Sequence, residues 1–154
     1  MIFVECDSDE VLVKTLGVAV EEISHKGSKG GKPQVYNKLN EDRNAKGMVD
    51  ADPGCSPPPY DKEFERIEIS EDVELKVDRN RNNHLIVLHP KLEDWIISSA
   101  KKAQVRMKDY GLPNDSEGLQ DVINFRLDKF AKLVKKLKSK SSRVKQLKKL
   151  LLRD

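Results

Sequence analysis

Acidic side chains standing at the ends of apolar runs are where this sequence offers chemistry. Glu5 follows Ile2-Phe3-Val4, Asp50 and Asp52 follow Met48-Val49, and Glu93 lies a few residues past Leu85-Ile86-Val87-Leu88. If each run is a strand of a parallel α/β sheet, the carboxyl ends share one rim, and acids distant in the chain converge there. Converging carboxylates repel one another, so their pKa values rise unless a cation neutralises them. Hard oxygen ligands of this type suit Mg²⁺ or Mn²⁺. Glu5, Asp50, Asp52 and Glu93 are therefore expected to form a divalent-metal site. In extended backbone, residues i and i+2 project to the same side, which would let Asp50 and Asp52 address one ion. The segment Asp50-Ala51-Asp52-Pro53-Gly54 also reads as an ordinary turn.

Basic groups are expected at the same rim. Lys26, Lys29 and Lys32 are interleaved with Gly27, Gly30 and Gly31, a positive loop able to hold a phosphate backbone or simply to be solvated. It is not a P-loop, which needs Ser or Thr after the lysine where this chain has Pro33. His25 and His89 follow predicted strands and face the rim as phosphate contacts or proton donors, whereas His84 precedes its strand and belongs to the opposite end. Cys6 and Cys55 are too few for a disulfide framework or a cysteine-based zinc site.

The elements that must position these groups read as strands alternating with helices. Ile2-Phe3-Val4 runs into a helix started by Asp7, Ser8, Asp9 and Glu10 and reaching about Gly17. Val18 to Ile23 is a second β-prone run, and Pro33 fits the first turn of a helix carrying Val35, Tyr36 and Leu39. Gly47-Met48-Val49 is a short strand. Val73, Leu75 and Val77 alternate with Glu74, Lys76 and Asp78, the pattern of a strand with one wet face at a sheet edge. His84 to Leu88 is apolar throughout and reads as a central strand, followed by a helix with Leu92, Trp95, Ile96, Ala100, Ala103, Met107 and Tyr110 at helical spacing, closed by Gly111-Leu112-Pro113. Leu119 to Leu137 forms one long amphipathic stripe, and Ser141-Ser142 can cap a last helix. The fold class expected is α/β: a mostly parallel central sheet flanked by helices (residues 1–112), plus a basic helical extension (113–154).

Val4-Glu5-Cys6-Asp7-Ser8-Asp9, followed by Met48-Val49-Asp50-Ala51-Asp52-Pro53-Gly54, resembles the two signature motifs of Toprim domains, Glu-x-x-x-Asp at a strand end and a later Asp-x-Asp. The segment with Pro90, Glu93 and Trp95 resembles the Pro-x-x-Glu-x-Trp stretch of Toprim nucleases of the OLD and RloB-like groups. The likeness spans roughly residues 2–100. These families usually carry Gly directly after the first Glu, where this chain has Cys6. The resemblance implies a Rossmann-like Toprim fold in which Glu5 is a metal ligand or proton-transfer group, Asp50 and Asp52 hold Mg²⁺, and Glu93 is a further ligand. It implies phosphodiester cleavage or transfer on nucleic acid. A catalytically silent nucleic-acid or protein binding module, or a primase-like nucleotidyl transferase, are the alternatives.

Charge distribution agrees with a polyanionic partner. Residues 1–100 hold 13 basic and 20 acidic side chains, while residues 101–154 hold 16 and 6, so an acidic body carries a basic tail. Such a tail gains affinity for DNA or RNA by releasing condensed counterions; a merely solvated lysine face is the competing reading. No apolar run approaches the ~20 residues of a membrane span, and the N-terminus lacks the basic region of a secretory signal. A cytoplasmic protein with no membrane contact is expected. The apolar faces of the last two helices exceed what one sheet face requires, so a homodimer is among the readings.

Overall fold

A computed structural model describes residues 1–24 and 31–153. Six strands form one sheet in the order β2-β1-β3-β6-β5-β4, where β1 is Ile2–Val4, β2 Ile23–Ser24, β3 Lys46–Asp50, β4 Glu65–Ser70, β5 Val73–Asp78 and β6 Asn83–Leu88. β2, β1, β3 and β6 run parallel, and β5 and β4 are added antiparallel. The architecture is the mostly parallel, helix-flanked α/β sheet of a Rossmann-like fold. Among the described residues, no helix is long and apolar enough to cross a membrane.

Alternation along the central strands builds two cores, because successive side chains point to opposite faces. Ile2, Val4, Met48, Ile86 and Leu88 enter one core, while Phe3, Val49, Leu85 and Val87 enter the other. The second core is closed by α2 (Gly31–Asn40) and the segment carrying Tyr60 and Phe64. α2 comes close enough that a Cβ on Gly47 would lie 2.8 Å from Leu39 and 2.9 Å from Val35, so any larger residue here would force those side chains to shift. The first core is larger. It is covered by α1 (Asp7–Thr15), α3 (Leu92–Lys102), α4 (Ser116–Val122), α5 (Leu127–Lys140) and α6 (Ser142–Leu152), and it runs without interruption from Ile2 to Leu151. The basic extension is thus anchored by apolar burial: Phe130, Leu133, Val134 and Leu137 are fully covered.

Local chemistry explains where the helices begin. α1 and α3 open with acids (Asp7, Asp9 and Glu10; Glu93 and Asp94) that favour the positive end of the helix dipole. Asp115 accepts a hydrogen bond from the Gly118 amide at the start of α4, and Ser141 accepts from the Val144 amide at the start of α6.

Four expectations need correction. The helix after β6 does not reach Tyr110: α3 ends at Lys102, Gln104 takes a left-handed φ of +58° that breaks it, and Met107–Tyr110 is a separate 3₁₀ turn. Val18 to Ile23 is not a strand throughout: Val20–Glu22 is a 3₁₀ turn and only Ile23–Ser24 pair with β1. β5 is not an edge strand with a wet face. β4 covers its outer side, and Glu74 and Asp78 are buried. β4 escapes pattern reading because its Ile67 and Ile69 are exposed and a register shift between Arg66 and Glu68 interrupts its pairing. Finally, the stripe from Leu119 to Leu137 is divided by a 3₁₀ turn at Ile123–Phe125. Its apolar period continues across the break, so periodicity alone is blind to it.

Candidate functional site

The parallel strands place their carboxyl ends on one rim, and four chain segments meet there. Glu5 follows β1, Asp50 closes β3, Asp9 sits in the first turn of α1, and Glu93 in the first turn of α3. The Glu5 carboxylate accepts a hydrogen bond from the Asp50 amide at 2.9 Å, which ties the ends of β1 and β3 together. Asp50 in turn accepts from the Leu92 amide at 3.0 Å, which fixes the start of α3. Asp9 reaches back to accept from the Cys6 amide and from its thiol, both at 3.2 Å. Cys6 therefore supports an acid of the rim.

Electrostatically the acids act as one group. Burial pushes the Asp50 carboxyl up to about 9, with the charges of Asp9, Glu5, Glu93 and Asp52 adding to the rise. Asp9, 3% exposed, is pushed up to about 7, again by burial first and by Glu5 next. Glu5 and Glu93 are raised as well, chiefly by burial; for Glu5, the Asp50 amide and the nearby Lys32 work in the opposite direction. Burial lifts the Cys6 thiol to about 12, so it stays protonated and serves as a hydrogen-bond donor to Asp9.

Asp52 arrives differently from the expectation. β3 ends at Asp50, and Asp52 has φ +47°, left-handed rather than extended. The i, i+2 argument therefore does not apply, although the charge of Asp52 is felt by Glu5 and Asp50. The Asp52 amide donates to the Pro90 carbonyl and the Ala51 amide to that of Leu88, which stitches this turn to the segment after β6.

Of the expected basic contacts, Lys26 and Lys29, like His25, lie outside the described residues. Lys32 donates to the carbonyls of Asp50 and Ala51 at 2.8 and 3.0 Å, holding the β3 exit from the α2 side. His89 pairs with Glu74 at 3.0 Å. Both line a small cleft of about 150 Å³ beside the acids, together with Tyr36, Ala51, Cys55 and Lys76. A larger cavity of about 870 Å³ lies between the end of α3 and residues 104–114, with none of the acids in its wall. His84 sits at the far end of the sheet beside Lys46 and Arg153, which hold its pKa down together with burial as the main cause.

The donor set suits a hard divalent cation: carboxylate oxygens, half-buried, mutually repelling, and without an ion-paired cation on Asp9 or Asp50 among the described residues. One oxygen of Glu5 and one of Asp50 are engaged by backbone amides. Among the described residues, no three acids, histidines or cysteines are already gathered tightly enough to ligate an ion. Asp9, quoted in the sequence motif but not in the expected ligand set, is the most buried acid of the cluster. Its four-residue spacing from Glu5, across a strand-to-helix corner, was the available signal. No protein-family model matches the chain, and no curated protein or solved structure does either.

Proposed function

We propose that this protein binds Mg²⁺ or Mn²⁺ at the rim acids and carries out phosphodiester cleavage or transfer on nucleic acid, as a Toprim-type nuclease. The observation that supports this reading most is the convergence of Glu5, Asp9, Asp50, Asp52 and Glu93 on one another's electrostatic field at the carboxyl end of the sheet. Glu5, Asp50, Asp52 and Glu93 are the residues that would hold the ion. A bound cation would neutralise charge developing on phosphoryl oxygens and activate a water or hydroxyl. The chain's own contributions are positional. Asp9 keeps Cys6 and the α1 start in place, Lys32 braces the β3 exit, and Lys32 and Lys76 offer positive charge in the adjoining cleft that His89 also lines.

The second reading, a catalytically silent binding module, is favoured by the engagement of Glu5 and Asp50 oxygens with backbone amides. The two separate on one assay. Labelled single- and double-stranded DNA and RNA are incubated with the protein in Mg²⁺, Mn²⁺ or chelator. The nuclease reading expects metal-dependent cleavage that Asp50→Asn with Asp52→Asn reduces by at least about two orders of magnitude. Cleavage that survives the double substitution, or none with either metal, overturns it.

A further inference from the structure

We infer that the exposed face of α5 is a track for a nucleic-acid strand, distinct from the rim and leading toward it; this rests on the nucleic-acid reading above. Lys129, Lys132, Lys136 and Lys140 are spaced three, four and four residues apart, so they fall on one stripe of the helix. The three, four and four residues separating them correspond to roughly 4.5, 6 and 6 Å of axial rise, a repeat that successive phosphates of one strand can follow. The adjoining face of α5 is spent inside the core, with Phe130, Leu133, Val134 and Leu137 fully buried. Among the described residues, none of the four lysines makes an ion pair with a carboxylate. Lysine faces that only solvate a helix are normally interspersed with acids, and the sole acid of α5 is Asp128.

Two further observations give the stripe a direction and a chemistry. Its last lysine adjoins the Ser141 corner between α5 and α6. Arg143, one turn on, bonds Asp72 at 2.8 Å, and the Asp72 carbonyl accepts the amide of His89, the residue after β6. The corner therefore lies at the same end of the sheet as the acids. At the other end of the stripe, Phe125 is 88% exposed on the turn before α5. An aromatic ring beside a lysine row is the arrangement that stacks an unpaired base while the amines take phosphates. A membrane surface fits less well, because the apolar face of α5 is unavailable for insertion.

The test is fluorescence anisotropy of the full chain with a labelled 20-nucleotide single strand, in chelator so that no cutting intervenes, over a salt series. Replacing Lys129, Lys132, Lys136 and Lys140 by Gln is expected to weaken binding at least tenfold and to flatten the slope of log affinity against log salt by about 2 to 3, since each phosphate contact contributes about 0.7 on a single strand. Phe125→Ala is expected to weaken single-strand binding several-fold and duplex binding less. Lys101→Gln with Lys108→Gln, near the 870 Å³ cavity, is the control for bulk charge and should leave both unchanged. An unaltered slope in the quadruple variant, an equal loss in the control, or binding to phosphatidylserine vesicles in place of nucleic acid overturns the assignment. A chain that binds through the stripe yet never cuts overturns the nuclease reading alone. One that cuts while the quadruple variant binds normally overturns the track alone.

Discussion

Two sets of acids, one on β5 and one on the rim, are withdrawn from solvent to different extents and have opposite electrostatics. Glu74 and Asp78, 4% and 0% exposed, are held below the usual carboxylate range. Burial pulls both upward, but Glu74 accepts from Arg66 and pairs with His89, while Asp78 accepts from Tyr60, from the Asn80 and Arg81 amides and from the Arg81 side chain. Asp9 and Asp50 have no such cation among the described residues and rise to about 7 and about 9. Burial alone, then, does not set the direction of a carboxyl's pKa; the cations and donors that face it decide whether burial is offset. The β5 acids are complete as they stand; in the metal-binding reading proposed above, the rim acids would take their cation from outside.

This contrast breaks or holds by experiment. The largest effect is expected at Asp78. Asp78→Ala strands the Tyr60 hydroxyl and the Arg81 guanidinium and should cost about 3–5 kcal/mol in urea unfolding; a loss under 1 kcal/mol would mean that the network is ornamental. Asp50→Asn keeps an acceptor for the Leu92 amide yet removes a carboxyl that resists ionisation, so metal-free stability at pH 8 should rise, by on the order of 1–3 kcal/mol. A fall instead would show that Asp50 is a structural acid like Asp78.

The two sets also predict opposite pH responses. A carboxyl whose folded pKa is raised contributes stability fully below its unfolded value of about 4, and that contribution is lost as pH climbs toward the folded value. For Asp9 and Asp50 the loss spans pH 4 to about 7 and about 9. Metal-free stability should therefore decline from pH 5 to 9, and Mn²⁺ should raise Tm by more at pH 8 than at pH 5. For Glu74 and Asp78 the sign reverses: their contribution is present above pH 4 and disappears as acid takes pH through their lowered values. A thermal-melt series over pH 3 to 9, with and without Mn²⁺, resolves both limbs. The smallest effect is expected at Cys6→Ser, which keeps a donor to Asp9 and should shift stability by under about 0.5 kcal/mol.

Much of the scaffold was legible because its signals are local. The apolar run of β6, the acids that start α1, and Ser141 before α6 are each read from a few neighbouring residues. Hidden features depend on partners elsewhere. β4 turns its isoleucines outward, and Glu74 and Asp78 pattern as a wet face although Arg66, Tyr60, Arg81 and His89 bury and neutralise them. Arg143 looks like one more cation of a basic tail. It is 2% exposed, bonded to Ser99 and Asp72 and stacked over Trp95, an anchor no spacing rule exposes.

By itself the sequence determined that acids stand at strand ends, that the last third is basic, and that apolar periods of two and 3.6 alternate along most of the chain; composition and spacing carry those directly. Which acids share a field was decided by tertiary structure alone. Strand order sets β1 beside β3 and β3 beside β6, and so brings Glu5, Asp50 and the α3 start together. Pairing with Arg66, His89 and Arg81 silences the acids of β5. Electrostatic coupling falls with distance through space and is indifferent to separation along the chain.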